Sequence, residues 1–258
     1  MKKTLRVISL ILAIISLGMC AAACQNGELT DFSSKAYYDY STSNTGRGTN
    51  IKMMYVEREI DSMKVEDFVA SDKESDFVRI DIKNYGSIVV VLRHDVAPVS
   101  VANFKKLVSE KYYDGAAFHR VIEHFMIQGG GYIIETETNE DGVKNSNLVE
   151  KESRPAIQGE FDSNGFENNL YHVRGVLSMA RTSVKNSAST QFFIIHETNE
   201  ASASLNGDYA AFGYVLAGMD VVDAIAACQV FGEENAPIPV EDVIIESATF
   251  VEPKDKLW

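Results

Sequence analysis

Hydrophobic and polar residues alternate along residues 77–83, where the sequence reads FVRIDIK. Alternation with a period of two is typical of a β-strand that has one buried face. The turn residues Asn84, Tyr85 and Gly86 separate this run from a second apolar run at 87–92. We therefore predict a β-hairpin at the start of the folded domain.

The pattern changes to a helical period after Pro98. Val101, Phe104, Leu107 and Val108 follow at spacings of three and four residues. This spacing predicts an amphipathic helix with proline in its first turn. A second helix is predicted around residues 219–228.

The rest of the chain contains several short runs of β-like sequence and no internal repeat. The runs cover residues 117–122, 175–180, 191–195, 210–216 and 240–250. A polar stretch at 135–154 is expected to be a surface loop. Many short strands with two helices predict a mainly β fold, a closed antiparallel barrel with helical caps.

The N-terminus has the pattern of an export signal. Lys2, Lys3 and Arg6 precede an apolar run at 7–23 that is short for a membrane span. These features predict a signal peptide at 1–23 and an exported protein.

Whether the exported chain is anchored or released depends on the residues around Cys24. The sequence AAAC at 21–24 resembles a bacterial lipobox, in which the cysteine is lipidated and becomes the new N-terminus. Cys20 is a poor alternative lipid attachment site, because Met19 directly before it is too bulky for the cleavage position. Plain secretory cleavage after the alanines stays open. We expect Cys24 to be the lipid attachment site, with the protein anchored to the extracytoplasmic side of the cell membrane.

Residues 24–76 do not show a domain of their own. Residues 25–50 are rich in Ser, Thr, Asn, Gly and Asp, as in a tether. Residues 53–76 have scattered apolar positions and are either a linker or an extension of the domain. The domain itself is predicted at 77–251, with a tail at 252–258.

Composition and charge narrow the class of protein. The chain is 45% hydrophobic and 24% charged, which is typical of a globular protein. Its net charge is −13, and loss of the leader's three cations makes this 21 − 37 = −16. Such a surface repels phosphate groups, so nucleic acid is not an expected partner.

Cysteine and histidine positions give no sign of metal or disulfide chemistry. Cys228 is the one thiol left after the signal and the lipid site, and we expect it to be buried and inert. The five histidines show no HExxH or paired Cys/His spacing. The sequence therefore predicts no metal site and no cofactor.

One segment concentrates the candidate chemistry: residues 118–131, FHRVIEHFMIQGGG. Arg120, Met126 and Gln128 are separated by even steps and would share one face of an unbroken strand. Phe125 joins them only if the chain bends near residues 123–124. The three glycines indicate close backbone packing or a tight turn. Taken alone, the segment is better explained by a core Phe and Met beside a surface Arg.

Further motifs settle which family the segment resembles. Residues 118–130 resemble the FHRxIxxFMxQGG signature of the cyclophilins, a family of peptidyl-prolyl cis-trans isomerases. GEF at 159–161, GVLSMA at 175–180, STQFFI at 189–194, LNG at 205–207 and FG at 212–213 follow in the family's order. The resemblance covers about residues 77–251. It implies an eight-stranded antiparallel barrel with a helix over each end.

The resemblance also implies a role for each site residue. Arg120 would donate a hydrogen bond to the prolyl nitrogen of a twisted X-Pro bond, and Gln128 would steer it and contact the substrate. The remaining implied residues bind substrate: Phe125, Met126, Phe193 and Leu205 would hold the proline ring, Tyr209 would close this cup, and Ala180 and Gln191 would line the adjoining groove. The reaction needs no cofactor or metal.

Two positions depart from the family. Ser204 stands where the best-known members have a Trp that contacts cyclosporin, so strong cyclosporin binding is not expected. Arg181 follows Ala180 where many members have Asn. This second cation is interpreted either as a contact for acidic client residues or as a side chain directed to solvent. His119 and His172 are interpreted as structural hydrogen-bonding residues.

The sequence is compatible with three functions. The first is a lipid-anchored isomerase, expected to be a monomer, that acts on proline-containing exported polypeptides as they fold. The second is a binding module that holds proline segments without turnover. The third is a surface adhesion protein that uses its acidic face. The Arg120 and Gln128 pair favours the enzyme, because binding alone needs no donor aimed at the amide nitrogen.

Overall fold

The computed structural model of the chain describes residues 59–138, 144–234 and 236–255, with only the backbone described at 136–138 and 144–146. These residues belong to one compact unit, 49–257. The predicted signal peptide, the lipid site at Cys24 and the tether lie outside the described residues. Within the described ranges, no helix is long and apolar enough to cross a membrane.

Strands dominate the described part of the chain. The strands are β1 Phe68–Ala70, β2 Phe77–Ile82, β3 Gly86–Leu92, β4 Ala116–Ile122, β5 Met126–Thr138, β6 Lys144–Glu150, β7 Val176–Met179, β8 Phe192–Ile195, β9 Ala211–Ala217, β10 Val230–Phe231, β11 Ile238–Pro239 and β12 Ile245–Pro253. The helices are α1 Pro98–Ser109, α2 Glu200–Ala203 and α3 Met219–Ala226. The prediction of a mainly β fold is confirmed.

One antiparallel sheet contains most of these strands, in the order β1-β12-β2-β3-β9-β7-β8-β5-β4, with β6 paired to β5. Its end strand β4 returns towards β12, because Phe118 N donates to Val243 O (2.9 Å) and Gly115 N donates to Ile245 O (2.8 Å). This sheet has ten strands in the described residues, where eight were predicted. β10 and β11 form a separate pair.

The predicted hairpin and helices are present. β2 and β3 pair from Phe77↔Val91 to Ile82↔Gly86. α1 begins at Pro98 and buries the apolar face that its spacing predicted. α3 ends at Ala226, just before Cys228. That cysteine is half-buried, and burial raises the pKa of its thiol, as expected for an inert group.

The prediction of a surface loop at 135–154 is wrong for residues 135–138 and 144–150, which form strands, whereas residues 139–143 lie outside the described residues. β5 extends to Thr138, and β6 pairs with it from Tyr132↔Glu150 to Thr138↔Lys144. Among the described strands β6 pairs with β5, and its residues 147–150 are exposed or half-buried, so its sequence need not alternate between apolar and polar residues. The predicted strand at 240–250 is also shorter than expected, because β12 begins at Ile245.

Aromatic rings fill the centre of the core. The Phe104 ring on α1 lies 5.0 Å from Tyr113, 5.5 Å from Phe192 and 5.2 Å from Phe212, measured between ring centroids. All four side chains are fully buried or nearly so. Aromatic contacts of this kind add to the free energy gained by burial. α1 is thereby fixed to β8 and β9, the strands next to the candidate site.

Residues 59–70 lie against the sheet, which favours an extension over a linker for this part of the chain. Asp61 N donates to Val215 O (3.3 Å) and Met63 N donates to Leu216 O (3.2 Å). The Ile60 side chain covers Gly175, where a Cβ atom would lie only 2.8 Å from it. The predicted domain boundaries stay a prediction.

Asp61 also caps the helix α3. Its Oδ1 accepts hydrogen bonds from Gly218 N (2.9 Å) and Met219 N (3.1 Å), at the end of the helix where backbone donors have no partner within the helix. Asp61 has a left-handed φ of 55°, which Asn and Gly tolerate best. The extension therefore contributes to the stability of the domain.

We expect Asp61→Gly to lower the free energy of unfolding by about 1 kcal/mol, because it removes the acceptor of two backbone hydrogen bonds and keeps the backbone conformation. Asp61→Asn retains an oxygen acceptor and should cost much less. Urea unfolding of both variants measures the difference. Equal stability of the two variants would contradict the cap.

Candidate active site

A hairpin brings Arg120 and Gln128 together. β4 ends at Ile122 and β5 begins at Met126, and Arg120 pairs directly with Gln128 in the register between them. The segment is thus a hairpin, and the unbroken strand considered from the sequence is wrong. The bend near residues 123–124 that would bring Phe125 alongside is present, because His124 has a φ of 63°, which turns the chain.

Arg120 is held in place by Gln128. Its Nη1 donates to Gln128 Oε1 (3.1 Å) and lies 3.7 Å from Met126 Sδ. Partial burial lowers the pKa of Arg120, and nearby Tyr209 partly offsets this effect. An arginine remains charged all the same. The site therefore presents a fixed cation in a partly dry setting.

Gln191 extends this arrangement. Gln128 Nε2 donates to Gln191 Oε1 (2.9 Å), so both ends of the Gln128 amide are occupied. A Cβ atom on Gly131 would lie 2.4 Å from Gln191 Cγ. Gly130 has a φ of 89°. The glycines were predicted to provide close packing or a tight turn, and close packing is confirmed.

Phe193 forms an apolar floor beside the polar pair. It is opposite Gln128 in the register of β5 and β8, and it is 4% exposed. Its ring stacks on His172 with the centroids 6.0 Å apart, and meets Tyr209 edge-on at 5.9 Å. A rigid hydrophobic surface thus adjoins the guanidinium.

His172, which stacks on the Phe193 ring, is itself held in place by hydrogen bonds. His172 N donates to Asn206 Oδ1 (2.8 Å), and the ring nitrogens lie 3.0 Å from Asn206 Oδ1 and 2.9 Å from Ser178 Oγ. Burial lowers the pKa of His172 to about 4. The structural role predicted for His172 is confirmed.

The other predicted pocket residues lie on adjacent segments. Met126 is 1% exposed at the start of β5, and the half-buried Phe125 accepts a hydrogen bond from His196 N (2.9 Å) at its carbonyl oxygen. Ala180 N donates to Gln191 O (2.9 Å). Leu205 O accepts from Tyr209 N (3.1 Å), which fixes the loop after α2.

Arg181 packs between two aromatic rings. Its guanidinium carbon lies 4.5 Å from the Tyr209 ring centroid and 5.0 Å from that of Phe161. Its Nε donates to Asp208 O (2.9 Å) and its Nη1 to Thr182 O (2.9 Å). The side chain is therefore not simply directed to solvent. Its part in binding acidic client residues stays a prediction.

His119 differs from expectation. Its Nδ1 is buried and has no hydrogen-bond partner among the described residues, so this atom does not contribute to the predicted hydrogen-bonding role. Burial lowers the pKa of His119 to about 4, partly offset by the nearby Ala117 carbonyl and Gln191. Its ring lies 4.5 Å from that of Tyr132. It follows Phe118 on the strand and is a structural neighbour of the site.

Glu160 is a supporting residue to which sequence reasoning gave no role. It is 0% exposed, and its carboxylate accepts hydrogen bonds from Val99 N (2.8 Å), Ser100 N (2.8 Å) and Ser100 Oγ (2.7 Å). It thus caps α1 and fixes the loop that carries Phe161. The GEF motif marks the position, but burial of a carboxylate at a helix start cannot be seen in one sequence.

Around Arg120 the site offers a cation, two amides and an apolar floor. None of these groups is a strong metal ligand. The arrangement suits a neutral substrate whose polarity changes during reaction. It contains no nucleophile and base pair of the kind used in covalent catalysis.

Comparisons with known proteins agree with this geometry. Residues 77–250 match the family model described as cyclophilin type peptidyl-prolyl cis-trans isomerase/CLD. A peptidyl-prolyl cis-trans isomerase from Acinetobacter baylyi is 45% identical over 145 residues, covering 55% of this chain and 68% of that protein. Peptidyl-prolyl cis-trans isomerase B from Escherichia coli is 39% identical over 175 residues, covering 66% and 96%.

A solved structure shows the same fold. It is a cyclophilin type peptidyl-prolyl cis-trans isomerase from Cryptosporidium parvum, determined in the presence of the dipeptide Ala-Pro. The TM-score is 0.50 at 27% identity, and the match covers 67% of this chain and 97% of that one.

Because the unfolded chain binds a proton at His172 near pH 6.5 and the folded chain only near pH 4, the free energy of unfolding should decrease as the pH is lowered from 6.5 to 4. The expected slope from this residue is about 1.4 kcal/mol per pH unit. His172→Gln should reduce the slope measured by urea unfolding. His94→Gln, which replaces an exposed histidine, should not. Equal slopes in all three proteins would show that His172 is not the group responsible.

Proposed function

This chain belongs to the family of cyclophilin-type peptidyl-prolyl cis-trans isomerases, and we propose that Arg120 is its catalytic donor and that it works at the outer face of a membrane. The chain is an isomerase of proline-containing polypeptides. The proposal adds the mechanism, the source of the substrates and the location.

The reaction requires no bond to be broken. Rotation about an X-Pro amide is slow because the twisted state loses the resonance of the planar bond. A catalyst must therefore bind the twisted amide more tightly than either planar form. In the twisted state the prolyl nitrogen regains a lone pair and becomes a hydrogen-bond acceptor.

The single observation that carries the mechanism is the position of Arg120. Gln128 accepts from its Nη1, and Gln191 in turn accepts from Gln128, so the guanidinium is oriented before substrate arrives. A preorganised donor in a partly dry site costs little reorganisation when the lone pair forms. We assign Arg120 the donor role, and Gln128 the role of orienting it and contacting the substrate.

The apolar residues beside Arg120 provide the place for the proline ring. Met126 and Phe193 are buried next to the pair, and Tyr209 meets Phe193 edge-on. Phe125 and Leu205 border the same site on adjacent loops. A ring held here would present its nitrogen towards the guanidinium. The relative solved with Ala-Pro supports an X-Pro unit as the substrate.

The proposed location depends on the N-terminus. The cationic and apolar leader at 1–23 supports export, and the AAAC sequence supports lipidation of Cys24. The tether at 25–50 would give the domain a random-coil reach of roughly 30 Å. We propose a monomeric, lipid-anchored isomerase that meets exported polypeptides while they are still unfolded.

We expect Arg120→Ala to lower kcat/KM by about 10²–10³, the effect of removing one preorganised donor. A Pro-containing peptide assay by NMR exchange measures it, with thermal unfolding as the check that the variant is folded. Arg120→Lys keeps the charge but loses the planar donor and should recover little activity. A folded Arg120→Ala variant with unchanged activity would overturn the mechanism, and wild-type binding without turnover would favour the proline-binding module.

We expect Cys24→Ala to release the full-length protein from the membrane fraction of its host, because a lipid on Cys24 provides the attachment. Fatty-acid labelling should mark the wild-type chain and not the variant. Cys228→Ala is the matched control and should leave both results unchanged. A soluble, unlabelled wild type would show plain secretion instead.

A further inference from the structure

Three side chains with metal-ligand chemistry converge at one edge of the site: His124, His196 and Glu197. One donor atom of each lies within 4.8 Å of the other two. In the described ranges of the chain this is the one such group. The residues come from the turn between β4 and β5 and from the segment after β8, so no spacing rule connects them in the sequence.

The contacts identify the atoms that face each other. His124 Nδ1 lies 2.7 Å from Glu197 Oε2. His124 N donates to His196 Nδ1 (3.0 Å), so this ring nitrogen of His196 carries a lone pair. The two Nδ1 atoms and the carboxylate oxygen therefore lie close together at the surface, with the His196 Nδ1 lone pair occupied by the His124 backbone N–H.

A second carboxylate fixes the tautomer of His196. Its Nε2 lies 3.3 Å from Asp223 Oδ1, which places the ring proton on Nε2. Asp223 is held by Arg174 through two hydrogen bonds of 2.6 and 2.7 Å. A histidine that ligates a metal usually donates its other ring N–H to a carboxylate in this way.

The backbone holds the turn in a conformation that suits the cluster. His124 has a φ of 63°, a left-handed value that non-glycine residues adopt at some cost. Asn199 Nδ2 donates to His124 O, and His196 N donates to Phe125 O. The turn and the segment at 196–199 are thus in contact before any ion arrives.

We propose that His124 Nδ1, His196 Nδ1 and Glu197 Oε2 bind a divalent transition-metal ion of the zinc class, with water as the fourth ligand. Two imidazoles and one carboxylate suit zinc and its neighbours, whereas Mg²⁺ and Ca²⁺ require oxygen ligands. On binding, the neutral His124 ring carries its proton on Nε2, the Nδ1 proton being exchanged through solvent, and His196 Nδ1 gives up the bond from His124 N. His124 and Glu197 are exposed, so their side chains are able to open from 2.7 Å to metal-ligand spacing.

The ion would affect the isomerase by fixing the relative position of two segments that border the site. It would join the turn that precedes Phe125 to the segment that leads into α2 and Leu205. Its place is outside the group around Arg120, so the ion takes no part in the reaction. Binding of the metal is independent of the proposed donor role of Arg120.

The test is zinc titration of the full chain without a histidine tag, by calorimetry, together with the visible absorption of the Co²⁺ form. One ion per chain and a tetrahedral Co²⁺ spectrum are expected. His124→Asn, chosen because Asn tolerates the left-handed backbone, and Glu197→Gln should each weaken binding by about tenfold or more. His94→Asn and Cys228→Ser are the matched controls and should bind as the wild type does.

Thermal unfolding separates a lost ligand from a lost fold. Zinc should raise the Tm of the wild type and not that of His124→Asn, whose Tm without zinc should stay close to wild type. The proposal is overturned if the wild type binds no zinc in large excess, or if His124→Asn and Glu197→Gln bind as tightly as the wild type. Loss of binding in Cys228→Ser would also overturn it, because the ion would then belong to the thiol.

Discussion

The hydrogen bond from Arg120 to Gln128 is the interaction on which the site depends. It exists because β4 and β5 pair with these two residues opposite each other. A shift of one residue in this register would direct the side chains to opposite faces of the sheet. The turn at His124 and the packing of Gly131 against Gln191 both keep the register and the amide chain in place.

Polar groups in this protein are used in two ways. Glu160 and His172 are buried and hydrogen-bonded, and they hold α1 and the Phe193 floor rigid. Arg120 and Gln128 stay half-buried at the surface, where a substrate is able to reach them. A preorganised donor requires both features: buried residues that hold it rigidly, and a surface position that the substrate is able to reach. Arg181, packed between two rings, adds a second fixed cation to the rim.

The sequence predicted the parts of the fold that follow from local patterns. The alternation at 77–92 and the helical spacing after Pro98 both correspond to real elements. The motif at 118–131 singled out residues that the structure brings together, since Arg120 contacts both Met126 and Gln128. It missed the hairpin at 122–126, since a turn that uses a histidine at positive φ has no glycine to mark it.

Long-range contacts explain the other omissions. Asp61 caps a helix that begins 158 residues later, and its sequence neighbours give no sign of this. The β5–β6 hairpin is polar because it lies at the side of the main sheet. The cluster of His124, His196 and Glu197 forms only when two distant segments meet. In each case the contact joins residues that only the tertiary fold brings together, so a single sequence does not show it.

The most direct measurement is a crystal structure of this chain with a bound proline-containing peptide. We expect an Arg120 guanidinium nitrogen about 3 Å from the prolyl nitrogen, with Gln128 still accepting from Nη1 and the proline ring against Phe193. A proline ring bound elsewhere, or an Arg120 turned away from the prolyl nitrogen beyond hydrogen-bond distance, would contradict it.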